Sequence, residues 1–188
     1  MPKHDKKKEV SSFEGRIKMI SCSPHGDPEG IVLESGAFIK TPPHSLLEKE
    51  KFKIGTTIHG EGELIASEPN EVFHHAQVMS GKTMLSDDSI DKDSKEELKE
   101  KHKAEIKNRK DQPGKVLKTS GTIAALASKP KGELDRILLT DGTSIHIPKD
   151  LELSAEDFEL GAVVEAKGEF RDYGSMKFLK AESVKLTP

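Results

Sequence analysis

Gly15, Ile17, Pro24, Gly26, Leu33 and Gly36 recur 106 positions later as Gly121, Ile123, Pro130, Gly132, Leu139 and Gly142. The same offset carries Ile39, Pro42, Phe52, Gly55, Gly62 and Glu63 onto Ile145, Pro148, Phe158, Gly161, Gly168 and Glu169. Matches confined almost entirely to glycine, proline and apolar positions describe a repeated backbone geometry, while the polar residues around them diverge. A chain of 188 residues built this way is expected to fold as two like domains of about 70 residues each.

Each copy centres on a β-hairpin. In the second, Leu138 to Pro148 reads LLTDGTSIHIP; in the first, Val32 to Pro42 reads VLESGAFIKTP. Asp-Gly and Ser-Gly supply a turn residue followed by a glycine free to take positive φ, between runs that alternate apolar and polar. Proline then ends strand pairing in both copies.

Residues 1 to 12 read as a flexible lysine-rich tail, and the first domain as 13 to 79. Within it, the pattern predicts a strand from Phe13 to Ile20 bulged near Gly15, and the hairpin from about Glu29 to Lys40. A short helix after Pro42-Pro43 turns Leu46, Leu47 and Phe52 inward, and strands follow over Thr56 to Leu64 and Glu71 to Val78. Residues 80 to 115 form a linker whose charged helix, about 95 to 109, opens with the capping-box sequence Ser94-Lys95-Glu96-Glu97 and ends before Pro113-Gly114. Leu98 and Ile106 are its only large aliphatic residues, so it is expected to bridge the domains through solvent. The second domain, 116 to 188, repeats the plan and ends in a strand from Met176 to Leu186.

Net charge is −3, divided as +2 over residues 1 to 12, −4 over 13 to 79, +1 over 80 to 115 and −2 over 116 to 188. Neither domain has the positive excess that sequence-independent phosphate binding needs. Cys22 is the only cysteine, which excludes an internal disulfide and a cysteine zinc cluster. No apolar run approaches a membrane span or a signal core, and a reducing, cytoplasmic setting is expected.

Three strands, a short helix and two more strands, with glycine in strand one and proline after strand three, resemble the OB-fold. An SH3-like barrel, with its helical turn between the last two strands, fits the element order less well. The run Asp141 to Pro148, with Pro42-Pro43-His44, also resembles the hairpin region of uncharacterised bacterial tandem OB-like proteins. The expected fold class is therefore mostly β: two small five-stranded OB-like Greek-key β-barrels joined by a charged helical linker.

Other motifs carry little chemistry. Ala76 to Thr83 is a loose phosphate-loop match, but acidic linker residues follow where a helix should, and no βαβ unit surrounds it. His74 and His75, adjacent on a strand, face opposite ways and cannot share one metal ion without a bulge. No nucleophile elbow or helical metal motif occurs, so no catalytic residue, metal site or cofactor is expected, and the protein is read as non-enzymatic.

Ligands of an OB-like barrel meet the face of strands two and three and the loops beside it. In the second copy that surface presents Lys129, Lys131, Arg136, His146, Lys149, Arg171 and Lys177 as candidate polar contacts, with Tyr173 as a candidate stacking ring. The matching loops of the first copy are acidic. The preferred expectation is a protein-interaction or scaffold module; the alternative is single-stranded nucleic-acid binding through the second barrel.

Overall fold

A computed structural model describes residues 8–109 and 113–188. Two closed five-stranded barrels, with one helix between them, account for the chain's mostly β character. The first contains β1 (Val10–Cys22), β2 (Pro28–Leu33), β3 (Phe38–Lys40), β4 (Thr57–Ala66) and β5 (Val72–Ser80), to which β6 (Thr83–Asp87) adds on the outer edge of β5. After α1 (Lys92–Lys107), the second is formed by β7 (Lys115–Ser128), β8 (Leu134–Leu139), β9 (Thr143–His146), β10 (Val163–Asp172) and β11 (Lys177–Leu186). In each, strand one pairs antiparallel with strands two and four, and a parallel pairing of strands three and five closes the barrel. This is the OB-like Greek-key order.

The repeat persists in fine geometry. Register breaks between Ile17 and Met19 in β1 and between Ile123 and Ala125 in β7 fall at matching positions, so each first strand bends to serve both sides of its barrel. The bend thus lies just past Gly15 rather than at it; a Cβ on Gly15 would meet Leu33 Cδ1 at 3.4 Å, an ordinary contact, whereas one on the equivalent Gly121 would come within 2.9 Å of Leu139 Cδ1. Gly36 and Gly142 take φ of 93° and 89° in the hairpin turns, as their sequence context requires. Where one short helix was expected after Pro42-Pro43 there are two 3₁₀ turns, Pro43–Ser45 and Lys49–Lys51. Phe52 enters the core and Leu46 lines it, but Leu47 stays exposed. The same two turns recur at Lys149–Leu151 and Ala155–Asp157.

Each barrel has its own core, built on Ile17, Leu33, Ile58 and Phe73 in one and on Ile123, Leu139, Val164 and Leu179 in the other. A third cluster joins them: Met19, Val32, Phe38 and Val72 pack against Ala125, Ala127 and Leu138. Met19 and Ala125, and likewise Val32 and Leu138, are offset partners, so the barrels meet through equivalent surfaces, as in an isologous dimer.

The region between the barrels is more structured than a linker. Strand β6 buries Leu85 and Ser86, and the Ser45 and Ser86 hydroxyls lie 2.8 Å apart. Helix α1 begins earlier than the Ser94 motif implied, because Asp91 is the N-cap: its carboxylate accepts from the Ser94 N–H at 2.9 Å and from the Ser94 hydroxyl at 2.7 Å. Residues 1–7 of the expected tail lie outside the described residues, and its last residues, from Val10, already belong to β1.

Candidate functional site

The polar residues singled out on the second barrel separate into distinct groups. Arg136, on β8, is only 2% exposed. Its Nη1 donates to Ser21 Oγ at 2.7 Å, its Nη2 lies 3.2 Å from both Glu29 Oε1 and Asp135 Oδ2, and its guanidinium sits 5.8 Å above the Phe38 ring. Burial works against its charge, but Glu29 and Asp135 outweigh that and raise its pKa. His146, on β9, packs against Phe178, and burial holds its pKa well below the ordinary value. The ring is therefore neutral, with Nε2 donating to the Cys22 carbonyl at 3.0 Å. The Ser21 and Ser144 hydroxyls, 2.7 Å apart, complete a polar seam. The β8–β9 face, where an OB barrel takes its ligand, lies against the first barrel.

Arg171 and Tyr173 cap the edge of this contact. Arg171 Nη1 donates to the Pro24 carbonyl at 2.9 Å, and the Tyr173 hydroxyl donates to the same oxygen. The tyrosine ring lies over Gly26, where a Cβ would come within 2.7 Å of it. Lys177, half-buried at the start of β11, pairs in register with Asp172 and Thr143, apart from the other lysines.

Lys129, Lys131 and Lys149 do converge. They line an open cleft of about 620 Å³ at the end of the second barrel, between the β7–β8 loop and residues 147–156, with Ala66 and Glu68 of the first barrel at its mouth. Half-buried Leu153 and Ala155, with buried Leu134 and Ile147, give the lining its apolar part, and Glu133, Glu152 and Glu156 line it beside the lysines. Lys129 Nζ lies 3.8 Å from Glu133, so part of that charge is paired within one loop.

A second polar centre had no sequence forecast. Asp27 is 1% exposed and binds Lys49, Arg109 (2.7 Å) and His102 (3.7 Å). Asp88, also buried, lies 3.4 Å from each of His44 Nε2, His75 Nδ1 and Lys95 Nζ. Burial would raise both carboxyl pKa values, but hydrogen bonds and nearby charge from these groups outweigh it and lower them. Lys95, His102 and Arg109 are seven apart, one stripe along α1 and its end, and they seat the helix on the first barrel. The expectation of a helix spanning solvent therefore does not hold. A basic stripe at heptad spacing was the available signal; its acidic counterparts are scattered in sequence and gave none.

His74 is buried and His75 exposed, and β5 is bulged between His74 and Gln77, with His75 at a φ of 49°. Among the described residues no group of three or more histidines, cysteines or carboxylates could hold a metal ion, and no helix is long and apolar enough to cross a membrane. Gly81 and Lys82 form the turn between antiparallel β5 and β6, so the phosphate-loop mechanism lacks its helix. Comparison with family models, curated proteins and solved structures finds no match.

Proposed function

We propose that this chain is a non-enzymatic tandem OB-like binding module that acts as a protein-interaction or scaffold unit in the cytoplasm. The observation that carries this reading is the burial of Arg136 between the barrels, tied to Ser21, Glu29 and Asp135. The face that would stack and pair with a single strand is committed to holding the barrels together. A unit braced in this way presents fixed outer surfaces to a partner, and its mixed charge suits a protein better than a polyanion. The buried, unpaired Cys22 accords with a reducing compartment.

Single-stranded nucleic acid is the second reading, favoured by the convergence of Lys129, Lys131 and Lys149. Fluorescence anisotropy of a labelled oligothymidylate at low salt, beside affinity capture of cell protein on the full chain, separates the two. The interaction reading expects no anisotropy change at tens of micromolar protein and a reproducible protein partner that binds again when purified. Oligonucleotide binding without any such partner overturns it.

A further inference from the structure

The two barrels differ in what fills one equivalent groove. In the first barrel, the groove between the β1–β2 loop and the Pro43–Ser45 turn is occupied by α1, which packs on that turn and reaches Asp27 with His102 and Arg109. The 106-residue offset carries Asp27 to Glu133, Lys49 to Ala155 and the Pro43–Ser45 turn to Lys149–Leu151. Glu133, Lys149 and Ala155 all line the open cleft of the second barrel. Among the described residues, no helix fills the equivalent position in the second repeat, where the Leu134 N–H donates to the Leu153 carbonyl and joins the two sides of the cleft at its base.

From this correspondence we propose that the cleft is the seat of an α-helix from a protein partner, a helix of mixed charge with a narrow apolar stripe. This rests on the interaction reading above and names the partner's chemistry. Half-buried Leu153 and Ala155, resting on buried Leu134 and Ile147, supply the apolar surface that takes the stripe. Where the first barrel has Ser23 and His25, the β7–β8 loop of the second has Lys129 and Lys131, which face acidic side chains on one flank of the helix. Beyond Lys149, the opposite wall carries Glu152 and Glu156, which face basic side chains on the other flank. Helix α1 has this character itself: Leu98 and Ile106 are its large aliphatic residues, among interspersed lysines and glutamates. A groove able to hold a helix of this kind therefore exists in the fold, and charge complementarity selects the occupant.

The test titrates ¹⁵N-labelled full-length protein with a synthetic peptide of residues 92–109. Tethered α1 outcompetes the free peptide for the first barrel through its effective concentration, leaving the second groove available. Saturable shifts are expected at residues 129–133 and 149–156. The double variant Lys131→Glu, Glu156→Lys, both at exposed positions, should keep the spectrum of the folded chain and weaken binding by about tenfold. Absence of shifts at millimolar peptide, shifts confined to residues 23–27 and 43–51, or binding indifferent to the double variant each overturns the proposal. If those failures occur while the full chain still captures a protein partner, the interaction reading stands without this cleft. If an oligothymidylate shifts the cleft residues and the peptide does not, both fall.

Discussion

Asn70 and Leu126 are joined by two hydrogen bonds: the Leu126 N–H donates to Asn70 Oδ1 and Asn70 Nδ2 donates to the Leu126 carbonyl, both at 3.0 Å. Backbone pairing of β7 with β10 and the turn before it ends at Ile123, so the Asn70 amide continues the ladder along an edge of β7 that has lost its strand partner. A side chain of the first barrel thereby satisfies buried backbone of the second.

Replacing Asn70 with alanine leaves a buried N–H and a buried carbonyl unpaired. The expected loss is about 2–4 kcal/mol, read as a lower urea midpoint. Asn70→Asp should fare no better, because a carboxylate cannot donate to the Leu126 carbonyl.

Arg136→Ala strands Glu29 and Asp135 beside an apolar contact and is expected to cost about 3–5 kcal/mol in urea unfolding. Arg136→Lys should recover only part of this. One ammonium cannot reproduce a fork that reaches Ser21, Glu29 and Asp135 together.

Acid should weaken the fold in two stages. Burial lowers the His74 pKa from 6.5 to about 4, with Lys40 and His75 adding to the effect, and burial also lowers that of His146. A histidine with a depressed folded pKa resists the protonation that the unfolded chain accepts, so stability falls as pH drops below 6.5. His74 alone contributes a loss of about 3 kcal/mol by pH 4. Asp27 and Asp88, depressed below 3.8, add stability above that pH which is lost as they protonate at lower pH. Urea midpoints measured from pH 7.5 to 3 should fall throughout, and His74→Gln should flatten the upper part of the curve.

Gly26 takes φ of 82° beneath the Tyr173 ring. Gly26→Ala imposes both backbone strain and a clash, with an expected loss of about 1–3 kcal/mol by thermal or urea unfolding. Tyr173→Ala removes the clash, so the double variant should lose less than the sum of the two single changes.

Cys22 is fully buried, and desolvation, with Glu29 adding to it, pushes its thiol pKa up to about 12. It should resist a thiol-specific disulfide reagent in the native protein at pH 8 and react at once in denaturant. Fast native labelling would show that the seam between the barrels opens.

The duplicated barrels were legible because their signals are local. The Ser35-Gly36 and Asp141-Gly142 turns, the prolines at 42 and 148 and the alternation around Ile39 and Ile145 act over a few residues and mean the same wherever the chain lies. Strand β6 was missed because its buried half, Leu85-Ser86, is short and runs into an acidic stretch. Either side chain suits the N-cap position, and Asp91 takes it by accepting both the Ser94 N–H and the Ser94 hydroxyl.

Sequence alone determined two OB-like barrels, their hairpins and a charged helix between them, since glycine, proline and apolar periodicity constrain backbone geometry directly. Tertiary structure alone decided which polar residues remain available. Arg136 and His146 sit on strands whose pattern is the same whether the outward face meets water, a ligand or another barrel. Their fate depended on the match between two surfaces that the offset makes equivalent, completed by Ser21, Glu29 and Cys22. The same docking left Lys129, Lys131 and Lys149 on the groove that α1 does not fill.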